Sequence, residues 1–310
     1  MIEPDLRPLG AGEILDRAVT LFVRRFLPFV LILALIVIPI SILSYFAQPD
    51  IYKVFGDLQR YATVPPGHAA EQRAILEQIT AHSQSSPLSL LAILLALLIG
   101  PLATTACTIA VARAYRGSFV SVGVAYREAV GRWFAQILTA LVFFAIYIGM
   151  VVALGLLVFA VALLVVALLA VSRPAGLAIG IPLGVVLAVA FIGALMLLYL
   201  AWQLAVISIS VEEPDPARAI GHSIRRTLAK PIFWRSLLVA LIVLIVHLVG
   251  SVVLLSLGGL LSALTHVAAL IPITASVGGV VLQALIICYL VVYSYDVRVR
   301  REGYDLAIAT

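Results

Sequence analysis

Long apolar runs dominate this sequence and give its most direct structural signal. A helix needs about 20 apolar residues to cross the hydrocarbon core of a bilayer. Six runs meet that length, so we predict an all-α membrane protein in which residues 1–310 form a single transmembrane domain. The predicted spans are approximately 26–47, 88–112, 134–172, 177–210, 236–257 and 273–295.

The third and fourth runs allow two interpretations. They are nearly charge-free and are interrupted only by the turn signal Ser172-Arg173-Pro174-Ala175-Gly176. A helix over 134–172 would be about 58 Å long, roughly twice the thickness of the hydrocarbon core, so each run could be split to give eight spans. Only Gly149 and Gly155 interrupt 134–172, however, and no polar turn lies between them. We therefore predict six spans, with tilt or protrusion absorbing the excess length.

Lys and Arg are distributed unevenly among the segments that connect the spans. In a six-span arrangement, sixteen of them lie on the side of the N-terminus and four on the opposite side. Basic residues concentrate on the cytoplasmic side of membrane proteins. We therefore predict that both termini are cytoplasmic and that segment 48–87 is an extracytoplasmic loop.

A short amphipathic helix is predicted on the cytoplasmic side before the first, third and fifth spans. Apolar residues three and four positions apart share one helix face. The three apolar stripes are Leu15, Ala18, Val19 and Phe22; Tyr126, Ala129, Val130 and Trp133; and Ala217, Ile220, Ile224 and Leu228. Because basic residues lie opposite each stripe, we predict three interfacial helices in the headgroup plane.

Composition restricts the class of protein further. Charged residues make up 11% of the chain, against roughly 25% in soluble domains. Hydrophobic residues reach 64%, and the mean hydropathy is +1.18. These values exclude a soluble enzyme, a disordered chain and a disulfide scaffold. Cys107 and Cys288 fall inside predicted spans, where we expect them to pack as small apolar side chains.

The basic cytoplasmic face suggests membrane lipids as partners. Juxtamembrane Lys and Arg attract anionic headgroups, so we predict anionic-lipid contacts at Arg127, Arg132, Arg225 and Arg226. A membrane-protein partner or a second copy of the chain is also compatible with this face, and nothing in the sequence points to nucleic acid.

Gly100-Pro101 lies near the middle of the second span and marks a candidate break in that helix. Proline removes a backbone hydrogen bond, and a broken helix at the bilayer midplane is a common site of substrate binding in transporters. Thr104 and Thr108 share one face below the break. A cavity could form between Gly100, Pro101, Thr104 and Thr108 and polar side chains on other spans. Those side chains are Gln203, His247 and Gln283. The alternative is a packed kink with no cavity.

Catalytic chemistry is not predicted. Each span lacks an Asp or Glu well inside it, which leaves a carboxylate relay or a carboxylate-bound metal without ligands. Asp296, at the inner end of the last span, is interpreted as the partner of Arg298 in an interfacial ion pair. We expect no enzymatic activity and no cofactor.

Three segments carry a resemblance to a known family. They are Leu6-Arg7-Pro8-Leu9-Gly10 with Glu13-Ile14-Leu15-Asp16-Arg17, then Val211-Glu212-Glu213 with Phe233-Trp234-Arg235, and the tail from Tyr295 to Leu306. Together they resemble the bacterial proteins named for the glycerophosphoryl diester phosphodiesterase membrane domain. That resemblance implies a six-helix domain in the bacterial cytoplasmic (inner) membrane. The βα pattern of a phosphodiesterase barrel is not seen in this sequence, so the family name implies no activity here.

Two classes of function follow from these observations. The first is non-enzymatic transport or lipid handling in a bacterial inner membrane. The second is a scaffold or assembly partner for other membrane or cytoplasmic proteins. A polar cavity through Gly100-Pro101 would favour transport, and a packed helix there would remove that argument.

Overall fold

The computed structural model describes residues 8–47, 57–58, 60–61, 63–64, 68–83, 87–212, 215–267 and 269–302. This part of the chain folds into ten helices and has no strands. The helices are α1 (Ala11–Arg24), α2 (Phe26–Ala47), α3 (Ala69–Ser83), α4 (Pro87–Tyr115), α5 (Val122–Val130), α6 (Trp133–Val171), α7 (Arg173–Val211), α8 (Pro216–Leu228), α9 (Lys230–Thr265) and α10 (Leu270–Glu302).

Six of these helices are long and apolar enough to cross a membrane. They are α2, α4, α6, α7, α9 and α10. The prediction of six spans in an all-helical fold is therefore confirmed. Because these six helices expose broad apolar surfaces, the chain has the construction of a multi-pass integral membrane protein.

Helices α6 and α7 are each continuous over 39 residues and form one hairpin. Ser172 alone separates them, in an extended conformation, and its N–H donates to the Leu168 carbonyl at 2.8 Å. Near this turn Gly176 lets the helices approach closely, since a Cβ there would lie 2.6 Å from Leu169 Cδ2. Small residues allow such backbone approach in membranes. The eight-span alternative is therefore wrong for the described chain.

Helices α9 and α10 extend beyond the predicted bounds. The prediction ended the fifth span at residue 257 and began the sixth at 273, but α9 continues to Thr265 and α10 begins at Leu270. Helix packing explains the difference. A Cβ on Gly258 would lie 3.0 Å from the Ile271 Cα, so glycine here permits close contact between the two helices. The turn follows at His266, which adopts a left-handed conformation with φ 57°.

The protein core is centred on the second half of α10. Residues 284–297 of this helix are almost entirely buried, and they pack against α1, α2, α4, α7 and α9. Cys107 of α4 and Cys288 of α10 are both buried and free, as the packing prediction requires. The parts of α6 and α7 near their turn at Ser172, by contrast, contact mainly each other and expose their apolar side chains.

Short helices precede α2, α6 and α9, as predicted, but their buried faces differ from the predicted stripes. Helix α1 buries Ile14 together with Ala18 and Phe22, and it exposes Leu15 and Val19. Helix α5 buries Ala125 and Ala129 and exposes Val130.

The difference is greatest in α8. This helix buries Ala219, Ser223, Arg226 and Thr227, whereas Ile224 and Leu228 of the predicted stripe are exposed. The polar face can be buried because its groups have partners: Ser223 and Thr227 hydroxyls donate to carbonyls of their own helix, and Arg226 pairs with Glu212.

Candidate functional site

The Gly100-Pro101 segment lies within the continuous helix α4, and the hydroxyls near it bond within that helix. The Thr104 hydroxyl donates to the Gly100 carbonyl at 3.4 Å, and the buried Thr108 hydroxyl donates to the Thr104 carbonyl at 2.8 Å. Trp133 at the start of α6 donates its indole N–H to the Leu98 carbonyl. The Gly100, Thr104 and Leu98 carbonyls near Pro101 therefore each receive a side-chain donor.

The other residues of the candidate cavity lie in different surroundings. The His247 side chain of α9 is exposed, while the Gln283 side chain of α10 is half-buried. Gln203 is also half-buried. Two apolar cavities lie between described helices, one of about 540 Å³ between α6 and α7 and one of about 490 Å³ between α4, α6 and α7. None of the seven predicted residues lines either cavity.

The four arginines predicted to contact anionic lipid are not equivalent. Arg127 of α5 and Arg225 of α8 are exposed, and Arg132 is half-buried. Burial lowers the pKa of the Arg132 guanidinium, Glu128 opposes this change, and Arg113 reinforces it. Arg226 is buried against Glu212, so we remove it from the set of expected lipid contacts.

Glu212, at the end of α7, holds two arginines from other helices. Arg226 of α8 donates to both carboxylate oxygens, at 2.9 and 3.1 Å, in the bidentate geometry that favours strong ion pairs. The Arg298 Nε of α10 lies 3.6 Å from Glu212 Oε1, and the Ser208 hydroxyl donates to Oε2 at 3.1 Å. Glu212 therefore links the ends of α7, α8 and α10.

A cavity of about 230 Å³ opens beside this ion pair, and we name it the α7–α8–α10 cavity. Its lining residues are Ser208, Glu212, Arg218, Ala219, His222, Arg226 and Arg298. The lining contains three arginines and one glutamate, so its formal charge is +2 with histidine neutral. Arg218 also pairs with Asp215, which lies outside the lining, so a neighbouring carboxylate compensates part of this charge.

A second ion-pair cluster surrounds Asp296 of α10. The Asp296 side chain is 0% exposed and lies 3.1 Å from both Arg235 of α9 and Arg300 of α10. It also accepts the Leu9 backbone N–H at 2.7 Å, and the Leu9 carbonyl accepts hydrogen bonds from the same two arginines. The prediction that Asp296 pairs with Arg298 is wrong, because Arg298 points to Glu212 instead.

Sequence reasoning missed Glu212 as the centre of a site. Glu212 entered the prediction only as part of the segment that resembles a known family. A carboxylate directly after a long apolar run must nevertheless find a partner or water. Its main partner, Arg226, is separated from it by 14 residues and a turn, a spacing that no single-helix rule connects. In the described part of the chain, no three His, Cys, Asp or Glu side chains come together as metal ligands would.

Comparison with known proteins adds no assignment to this geometry. No protein-family model, no curated protein and no solved structure matches this chain.

Proposed function

We propose that this chain is a non-enzymatic lipid-handling protein of a bacterial inner membrane, which binds anionic lipid at the cytoplasmic ends of its helices. The observation that carries the proposal is the exposed face of α8. Ile224 and Leu228 are exposed there beside the exposed basic residues Arg218 and Arg225. Apolar and basic groups on one exposed helix face suit the boundary between acyl chains and anionic headgroups.

We also propose the orientation of the protein in the membrane, with both termini cytoplasmic. It rests on the sixteen-to-four distribution of Lys and Arg, which favours cytoplasmic termini and an outer segment 48–87. The resemblance to the glycerophosphoryl diester phosphodiesterase membrane-domain proteins supports the bacterial inner membrane as the location. Arg127 and Arg132 would then lie on the same leaflet as Arg225.

The test is lipid-resolved native mass spectrometry of a variant that lacks Arg127, Arg132 and Arg225, each replaced by Gln. A basic residue near an anionic surface contributes about 1 kcal/mol, so three of them correspond to roughly a hundredfold in affinity. We expect the variant to lose retained anionic lipid to that extent. The matched control replaces Arg60, Arg73 and Arg173, which are exposed and lie on the predicted outer side. Equal retention by the variant and wild type would refute the proposal.

The α6–α7 hairpin favours a second candidate function, that of a scaffold. Each helix is about 58 Å long, and a tilt of about 60° would be needed to fit it within a 30 Å hydrocarbon core, beyond the usual range of tilts. The side chains along both helices are largely exposed, including Leu156, Phe159 and Val186. A second copy of the hairpin could cover this surface. Native mass spectrometry in the same experiment reports the mass of the assembly: a dimer that Phe159→Ser dissociates supports the scaffold, and a monomer contradicts it.

A further inference from the structure

The cavity between α4, α6 and α7, which we name the α4–α6–α7 cavity, is lined mainly by aromatic rings. Its volume of about 490 Å³ lies within the range of roughly 300–1,000 Å³ that is typical of ligand sites. The aromatic residues of the lining are Phe143, Phe144 and Tyr147 of α6 and Tyr199 and Trp202 of α7, and the remaining residues are aliphatic. Aromatic faces and edges pack against other rings with preferred geometry, so this lining favours a ligand with a planar ring.

The cavity opens onto the apolar surface of the helix bundle. Among its lining residues, Phe144 and Tyr147 are 59% and 42% exposed, and Leu97 of α4 is 39% exposed. These residues lie on helices that are long and apolar enough to cross a membrane. A ligand would therefore enter from the hydrocarbon side, and it must be soluble in lipid.

Two polar side chains lie at one end of this cavity. The Gln136 amide of α6 donates to the Val206 carbonyl of α7 at 3.0 Å and so fixes the register of the two helices. Thr139 follows Gln136 by three residues and Trp202 precedes Val206 by four, so each lies about one turn from this hydrogen bond on the same helix face. Because α6 and α7 form an antiparallel hairpin, both turns lie on the same side of the bond. Trp202 lines the cavity itself, and Thr139 is adjacent to the lining residue Ala140.

Both side chains are hydrogen-bond donors that the protein leaves unused. Within the part of the chain that the structure describes, neither the buried Thr139 hydroxyl nor the Trp202 indole nitrogen has a hydrogen-bond partner. The buried hydroxyls of Thr108 and Thr227, by contrast, donate to the carbonyl four residues earlier, both at 2.8 Å. Buried donors cost free energy when they are unpaired, and a buried tryptophan N–H usually has a partner. Two such donors at one end of an apolar cavity therefore favour a ligand that carries hydrogen-bond acceptors.

We propose that the α4–α6–α7 cavity binds a lipid-soluble quinone, with its ring against the aromatic lining and its carbonyl oxygens accepting hydrogen bonds from Trp202 and Thr139. A quinone combines a planar ring, carbonyl acceptors and an apolar tail, which leaves through the opening toward lipid. An acyl chain offers an ester carbonyl but no ring for the aromatic lining. The proposal is independent of the proposed function, because Arg127, Arg132 and Arg225 do not line this cavity.

The experiment titrates the full-length protein in detergent solution with decylubiquinone, and native mass spectrometry measures the bound fraction. Decylbenzene, a ring and tail without carbonyls, and methyl palmitate, an acyl ester without a ring, are the comparison ligands. Thr139→Val removes the hydroxyl, and Trp202→Phe removes the indole N–H and keeps a ring. The matched control is Trp234→Phe, which makes the same change at an exposed tryptophan of α9 outside the cavity.

A second pair of variants tests the space itself. Ala140→Phe places a ring in the cavity, and Ala145→Phe makes the same change at an exposed position of α6 that does not line it. We expect Ala140→Phe to abolish binding of decylubiquinone. Ala145→Phe should change its affinity by less than about twofold, as surface substitutions do.

We expect Thr139→Val and Trp202→Phe each to weaken decylubiquinone binding about fivefold, the fold-change that corresponds to one net hydrogen bond. Trp234→Phe should change the affinity by less than about twofold. Decylbenzene should bind at least about tenfold more weakly than decylubiquinone, because it lacks both acceptors. Methyl palmitate should also bind more weakly, because it lacks the ring.

Unfolding in SDS without added ligand tests the unpaired hydroxyl directly. Thr139→Val should be at least as stable as the wild type, since it removes a buried polar group that has no partner. A clear loss of stability would mean that the hydroxyl is already bonded within the protein, and it would contradict the proposal.

Three binding results would overturn the proposal. The first is a wild type that does not bind decylubiquinone, and the second is equal binding by wild type, Thr139→Val and Trp202→Phe. The third is methyl palmitate binding as tightly as decylubiquinone, which would assign the cavity to an acyl chain. Each differs from failure of the proposed function, which is measured as anionic-lipid retention by the variant at Arg127, Arg132 and Arg225.

Discussion

Replacing Asp296 by Asn should destabilise the protein strongly, because this carboxylate links three separate parts of the chain. It contacts Arg235 of α9 and Arg300 of α10, and it accepts the backbone N–H of Leu9 ahead of α1. Asn has nearly the same shape and can still accept the Leu9 N–H. The substitution therefore removes the negative charge and sets an amide N–H₂ against guanidinium groups that are also donors.

The magnitude follows from the burial of the three partners. Breaking a buried ion pair costs about 3–5 kcal/mol when a charge is left uncompensated. Asp296 is 0% exposed, but the side chains of Arg235 and Arg300 are 22% and 32% exposed. The two arginines can therefore recover part of their hydration, and we expect a loss near the lower limit, about 3 kcal/mol.

The assay is equilibrium unfolding in mixed micelles as the fraction of SDS increases, followed by tryptophan fluorescence. Asp16→Asn is the matched control, because Asp16 is exposed on α1 and the chemical change is identical. The control should change the free energy of unfolding by less than about 0.5 kcal/mol. A loss below about 1 kcal/mol for Asp296→Asn, the range of exposed ion pairs, would refute the inference that this cluster holds the N-terminal segment to α9 and α10.

Three further predictions concern packing, topology and the proline inside α4. Gly258→Ala should destabilise the α9–α10 hairpin by about 1–3 kcal/mol, since the added Cβ would crowd the Ile271 backbone. Gly259→Ala has open space around its Cβ and should be neutral or slightly stabilising. SDS unfolding compares the two variants, and equal free energies of unfolding would contradict close packing at Gly258. Glu71→Cys should react with an impermeant thiol reagent from outside cells and Lys230→Cys should react only after lysis, and the reverse pattern would invert the orientation. Pro101→Ala should restore a backbone donor to α4 and leave lipid retention in native mass spectrometry unchanged. A large loss of retention would mean that the Gly100-Pro101 segment takes part in lipid binding.

The transmembrane helices were predictable because their signal is local. An apolar run of sufficient length must be helical in a bilayer, whatever it packs against. Helix ends were less predictable where packing decides them. Hydropathy suggested that Gly258 ended a span, yet the contact of Gly258 with Ile271 and Thr274 keeps α9 helical to Thr265.

The buried face of α8 was predicted incorrectly for a physical reason. Helical periodicity identifies which residues share a face, but it does not say whether that face meets protein or lipid. Ile224 and Leu228 form an apolar stripe that is exposed, and the opposite polar face is buried because Arg226 finds Glu212. In a membrane an apolar stripe can be stable on the outside.

The candidate site was only partly accessible from sequence. Helix geometry alone favours Arg300 over Arg298 as a partner of Asp296, since residues four apart share a face and residues two apart do not. The α7–α8–α10 cavity, by contrast, depends on the ends of three helices meeting at Glu212. Such tertiary juxtapositions leave no periodic signal in the sequence.

The central claim is that anionic lipid binds at the basic ends of these helices, and a density map of the protein in a lipid nanodisc tests it most directly. The nanodisc should contain phosphatidylcholine and phosphatidic acid in known proportion. The account predicts headgroup density beside Arg127 and Arg225 on the exposed faces of α5 and α8. A map in which the exposed faces of α5 and α8 contact only water would contradict it.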